Sequence, residues 1–134
     1  MIYKDTNLSS LCRQIVEADI SVRFSGIANK FGRKVVSEYR RGLVPLLTES
    51  ELELSAIESV IRMNTRRGWR GGEDLKPTLG KPIYSFTLYE NIKRVTFLLD
   101  SEDYPILMVS LDKQITDQEF MEIMNKILSI VKKR

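Results

Sequence analysis

The spacing of apolar residues along this chain switches between a repeat of three to four residues and a repeat of two. The order of those switches leaves few folds open. Leu8, Leu11, Cys12, Ile15 and Val16 form one helical stripe, with Asp5 or Thr6 placed to cap its start. From there the repeat becomes two. Ile20, Val22 and Phe24 alternate with Ser21 and Arg23, which predicts a half-buried strand. Asn29, Lys30, Phe31 and Gly32 supply turn chemistry, and Lys34–Tyr39 reads as the returning strand of a β-hairpin. Gly26 inside the first strand marks a bulge or a close approach. Arg40, Arg41 and Gly42 end the hairpin.

The helical repeat then returns with a start signal. Thr48 and Glu51 make a capping box, and Leu47 and Leu52 are spaced as its hydrophobic staple. Ala56, Ile57, Val60, Ile61 and Met63 are the expected buried face. Acid in the first turns (Glu49, Glu51, Glu53) and base in the last (Arg62, Arg66, Arg67) complement the helix dipole. Residues 68–82 hold four of the chain's seven glycines and two of its four prolines, so they read as one long loop. Three strands follow, at 83–89, 92–99 and 106–111, with Glu90-Asn91 and residues 101–105 as the turns between them. A second capping box, Thr116 with Glu119 and the staple Ile115 with Phe120, opens the last helix. Its apolar stripe is Phe120, Met124, Ile127, Leu128 and Val131, and Met108, Met121 and Met124 read as core filler. The order is α-β-β-α-β-β-β-α: one α+β domain over residues 1–134, a five-stranded antiparallel sheet with helices packed on it.

Composition excludes several classes of function. The chain has no histidine, which removes histidine-based nucleophilic catalysis and most zinc sites. It contains no phosphate-cradling glycine motif and no paired cysteines, so no catalytic residue, metal or cofactor is expected. The longest apolar run is 106–109, far short of the roughly 20 residues a membrane helix needs. The N-terminus lacks the basic and apolar regions of a secretion signal. A lone cysteine, Cys12, lies on the apolar stripe of the first helix and reads as a buried small side chain. These features point to the cytoplasm. The net charge of +3 is below that of a dedicated nucleic-acid binder.

One constellation stands out from that background. Arg62, Arg66, Arg67 and Arg70 fall within nine residues beside Trp69, with no acid between them. Guanidinium groups beside an aromatic ring can hold phosphate and stack a base, so this set is the candidate anion or nucleic-acid site. The simpler reading is a solvated helix end. The basic surface grows if Arg33-Lys34 or Arg40-Arg41 share its side. Asp100, Glu102 and Asp103 read as a solvated acidic turn without the spacing of a calcium loop.

The element order over the whole chain resembles the Roadblock/LC7 domain and the wider profilin-like group. The likeness lies in the opening helix, the hairpin around Asn29-Lys30-Phe31-Gly32, the capped central helix, the meander and the closing helix. PAS-like sensor domains read similarly, and in such a domain Phe24, Tyr84, Phe86 and Phe97 would line a ligand pocket. In sequence, the stretches FSGIANKFGRKV, EYRRGLVPLLT, VIRMNTRRGW, LGKPIYSFTLYENIKRV and PILMVSLD look like a family of small uncharacterised proteins from ammonia-oxidising archaea. The Roadblock resemblance implies a homodimer formed through the central helix and the adjacent strand, and a platform for a protein partner. Carried over, the pairing surface falls on 51–63 and on 83–89, with Ile83, Ser85, Thr87 and Tyr89 as the strand residues. The long 68–82 loop before that strand departs from the pattern. The expected function is a non-enzymatic adaptor or regulatory module, with nucleic-acid binding through the Arg/Trp set and a PAS-like sensor as the alternatives.

Overall fold

The computed structural model describes residues 5–47, 49–67 and 80–132. Helix α1 (Asp5–Ala18) leads to strands β1 (Val22–Ala28) and β2 (Lys34–Tyr39), then to helix α2 (Glu49–Arg67). Strands β3 (Tyr84–Leu88), β4 (Ile92–Leu98) and β5 (Ile106–Asp112) follow, and helix α3 (Asp117–Lys132) closes the order. All neighbouring strands are antiparallel, in the spatial order β2-β1-β5-β4-β3. The expected order of elements is therefore the observed one.

The helices take opposite faces of the sheet. Leu8, Cys12 and Ile15 of α1 and Ile123, Met124 and Ile127 of α3 close over Val95, Phe97, Val109 and Leu111. Leu52, Ala56, Val60 and Met63 of α2 close over Phe24, Ala28, Ile106 and Met108. Cover on both sides explains why β5 is buried from Ile106 through Leu111 and reads as a near-continuous apolar run.

Several local readings change. Ile20 is 84% exposed and lies before the strand, in the turn where Asp19 accepts a hydrogen bond from the Ser21 amide. Val22 and Phe24 do not share a face. Val22 pairs with Leu111 and Phe24 with Ser110, so β1 carries one extra residue there. That bulge sends Val22 to the α1/α3 side and Phe24 to the α2 side. Gly26 is a point of close approach: a Cβ on it would lie 2.6 Å from Cζ of Phe24, whose ring lies across it. Met108 and Met124 are core, but Met121 is 49% exposed. Among the described residues no residue other than glycine has positive φ, so Asn91 makes its turn without it.

The aromatic set expected to line a pocket is divided by the sheet. Phe24 packs under α2 against Tyr39, while Tyr84 packs on Phe97 and Phe86 on Phe120 across the other face. Phe97 is 1% exposed, so these rings fill space instead of enclosing it.

The turn chemistry at 29–33 holds in detail. Asn29 Oδ1 accepts from the amides of Phe31 (2.9 Å) and Arg33 (3.1 Å), and Gly32 adopts φ +84°. The tip is also tied to the β4–β5 turn, since the Lys30 amide donates to the Asp103 carbonyl at 3.1 Å.

Candidate self-association surface

Strand β3 has one neighbour, β4, so among the described residues its other edge is open. Hydrogen bonds fix which backbone groups face that edge. Leu98 N donates to Ile83 O at 3.0 Å and Tyr89 N donates to Ile92 O at 2.9 Å. With the register Tyr84↔Phe97 through Leu88↔Lys93, odd-numbered residues of 83–89 therefore bond to β4. The amides and carbonyls of Tyr84, Phe86 and Leu88 point outward.

The four strand residues expected at the interface are thus those whose backbone is turned inward. Side chains divide in the same rhythm. Tyr84 and Phe86 face the α1/α3 layer, where their ring partners lie, and Ser85 and Thr87 are half-buried on the α2 face. Ile83 (62% exposed), Leu88 (57%) and Tyr89 (43%) mark both ends of the edge as apolar.

Helix α2 carries two apolar stripes. One is the buried row Leu52, Ala56, Val60 and Met63. The other, Leu54, Ile57 and Ile61 at i, i+3 and i+7, lies on the opposite side and is exposed by 42–60%. Ile57 and Ile61, expected in the core, belong to this outer stripe. A helix with apolar residues on two sides is the signal that could have separated them. Leu54 and Tyr89 line one groove of about 670 Å³, which joins the outer stripe to the end of β3.

The basic residues separate along the strand direction. Helix α2 runs from the end where Leu47 and Leu52 meet Phe24 and Tyr39 toward the end where Ile57 meets Gly32. Its last turn is thus directed to the hairpin end, which also holds Arg33 and Lys34. The side chains of Arg62, Arg66 and Arg67, and all of Trp69 and Arg70, lie outside the described residues, as does the Thr48 cap.

Arg40 sits at the opposite end and is engaged there. Its Nη1 donates to Asp112 Oδ2 (2.9 Å) and to Ile20 O (2.6 Å), while Arg23 Nη1 donates to Asp112 Oδ1 (3.0 Å). Burial would raise the Asp112 carboxyl, but the hydrogen bonds from Arg40 and Arg23 outweigh it and hold the group below the usual carboxylate range. Arg94, buried under α2, donates to Ser55 Oγ at 2.8 Å.

Groups with chemical potential are otherwise enclosed. Burial pushes the Cys12 thiol up to about 11, with the Ser25 hydroxyl opposing, so it is protonated at neutral pH. Lys93 is buried and donates to the Ile115 carbonyl at 2.7 Å. In the acidic turn, Asp103 pairs with Lys30 at 3.6 Å. Among the described residues there is no cluster of three or more potential metal ligands, and no helix long and apolar enough to cross a membrane.

No family model and no curated protein matches the chain, so the likeness to small archaeal proteins rests on the quoted stretches alone. Solved structures do match. Myxococcus xanthus MglB superposes with a TM-score of 0.63 at 14% identity, over 99% of this chain and 92% of that one. A structure of MglB in a tetrameric arrangement gives 0.66 at 8% identity, over 99% and 95%. A Roadblock/LC7 domain from Streptomyces avermitilis gives 0.65 at 12%, over 94% and 92%. With two helices on one face of the β2-β1-β5-β4-β3 sheet and one on the other, this chain has the Roadblock/LC7 fold.

Proposed function

We infer that this chain is a non-enzymatic interaction module of adaptor or regulatory kind, acting as a homodimer that presents a shared surface to a protein partner. The observation that carries this is the edge of β3, open among the described residues, with Leu54 of the α2 outer stripe near its Tyr89 end. An edge strand with outward amides and apolar ends is a template for pairing, and Leu54 of α2 shares a groove with Tyr89 at one end of it. Two copies joined edge to edge would make one continuous sheet, with their α2 helices on the same face.

The fold supports the reading, because MglB shares it and forms a tetrameric arrangement. Cys12, buried as a free thiol, suits the reducing cytoplasm. Neither alternative gains support: the Arg/Trp set is a reading of sequence alone, and the aromatics of a sensor pocket lie on opposite faces.

The test is light scattering coupled to size exclusion at low and high salt. The expected mass is twice the 15.5 kDa chain in both, and Leu54→Asp with Ile61→Asp should halve it. A wild-type mass of one chain at high protein concentration would refute the dimer.

A further inference from the structure

Two copies joined across β3 would leave a trough on the face away from α2, and its width limits what can fill it. The trough rests on that reading, since it exists only in the dimer, and it lies on the opposite face of the sheet from the groove that Leu54 and Tyr89 line. Strand side chains stand perpendicular to the sheet, so pairing of the edges leaves them on their own face. Tyr84, Phe86 and Leu88 lie opposite Phe97, Val95 and Lys93 in the ladder, and Phe97 and Val95 are core beneath α1 and α3. These three β3 side chains therefore sit on the α1/α3 face. Leu88 is 57% exposed there, and Phe86 keeps 43% exposure although its ring packs on Phe120 at 4.8 Å.

The walls are the two α3 helices. Lys126 pairs at 3.4 Å with Asp19, just past the end of α1, so that side of α3 is turned to α1. Met121 lies about 140° round the helix from Lys126, on the side turned to β3, and is 49% exposed. Helix α3 packs over Val95 and Phe97 of β4 and over Val109 and Leu111 of β5. From β4 to its copy would be about 14 Å, and from β5 to its copy about 24 Å, at the usual strand spacing. The two α3 axes would then stand about 19 Å apart, between those limits. Packed helices need about 8–10 Å between axes, so one further helix fits between the walls and two do not. The rim carries charge of one prevailing sign. Asp117 and Glu122 are exposed beside Met121, Lys126 is taken up by Asp19, and Lys132 stands at the far end of the helix.

We propose that this trough holds a single amphipathic α-helix of a protein partner, apolar on its base and both flanks and bearing lysine or arginine along its outer side. Tyr84, Phe86 and Leu88 of both copies make the floor, and Phe120 and Met121 of both copies make the walls. Each copy alone has only half of the site. The trough lies on the twofold axis of the dimer, so two chains take up one helix and the partner binds at half the number of chains. The basic side of that helix answers the Asp117 and Glu122 carboxylates on the rim.

The probe is a synthetic helical peptide of about 18 leucine, alanine and lysine residues, with the lysines confined to one stripe. A scrambled peptide of the same composition, without the stripe, is the control. Fluorescence anisotropy of the labelled peptide gives affinity and stoichiometry, and sedimentation of the same samples gives the mass of the protein. The striped peptide should bind at one per two chains, about tenfold or more tighter than the scrambled one. Met121→Lys, at an exposed wall position outside the β3 edge, should weaken binding about tenfold while the protein keeps the mass of two chains. Asp117→Lys should weaken binding at low salt and matter less at high salt. A mass of one chain throughout overturns the dimer and the trough together. A mass of two chains overturns the trough alone if the striped peptide is not preferred, if it binds at one per chain, or if Met121→Lys leaves its binding intact.

Discussion

Asp112 holds two guanidinium groups with its two oxygens, tying the start of β1 and the end of β2 to the end of β5. Removing its charge in Asp112→Asn leaves Arg23 and Arg40 without their anion. The site is about a quarter exposed, so the loss should be moderate, about 1–2 kcal/mol. The pH dependence has a definite sign. The folded carboxyl lies below its unfolded value of about 4, so its contribution is complete above that pH and is lost as pH falls through the folded value. Melting temperatures from pH 7 to 2 should show wild type losing its advantage over Asp112→Asn at the acid end. Cys12 makes an opposite case. Its thiol is raised to about 11, so a thiol reagent at pH 8 should label it only after denaturant unfolds the chain. Labelling of the native protein at the unfolded rate would contradict that. At Gly32, both φ and space forbid a side chain. A Cβ would lie 2.9 Å from the Ile57 Cα, so Gly32→Ala should cost more than about 1 kcal/mol in denaturant unfolding.

Helix α3 shows how far local sequence reaches. Thr116 Oγ1 accepts from the Glu119 amide (3.1 Å) and Glu119 Oε1 accepts from the Thr116 amide (2.8 Å), the reciprocal pair expected from residue types alone. Thr116→Ala should therefore cost about 1 kcal/mol, measurable by urea denaturation. Met124→Ala, at a fully buried position in the same helix, should cost about 2–5 kcal/mol. The α3 cap and the turn at 29–33 were legible because each depends on neighbours within a few residues. Which face a strand residue takes was not always legible. The bulge between Val22 and Phe24 depends on pairing with Ser110 and Leu111, far along the chain. In helix α2 the faces of Ile57 and Ile61 were not legible for a related reason. Its apolar residues exceed one stripe, and only the placement of the sheet decides that Leu52, Ala56, Val60 and Met63 are inside while Ile57 and Ile61 are out. Which residues of 83–89 turn their backbone to the outer edge is not legible either, since their parity is set by the bonds to Leu98 and Ile92.

For the molecule as a whole, the sheet order leaves β2 and β3 as edges and gives them different surroundings. Strand β2 is half-buried throughout and is tied to α1 through Glu38 and Arg13 at 2.6 Å. Strand β3 has apolar, outward-facing positions, which makes it the edge for pairing. If two copies join there, the amides of Tyr84, Phe86 and Leu88 should become protected from hydrogen exchange with rising protein concentration. Those of Ser85 and Thr87 should be protected at every concentration. Equal protection of both sets in a dilute monomer would contradict the edge assignment.

The central pair, β1 with β5, also sets a timetable for the newborn chain. Ala28 pairs with Ile106, and at about 5–20 residues per second the ribosome needs several seconds to make the chain between them. Through that interval β1 has no partner on its β5 side, so Phe24 and Ile27 lack the cover they have in the finished domain. The domain cannot close until β5 emerges and takes its place between β1 and β4. A chaperone that binds extended apolar segments would meet this protein at β1, and its release would be timed by the arrival of Ile106 through Leu111.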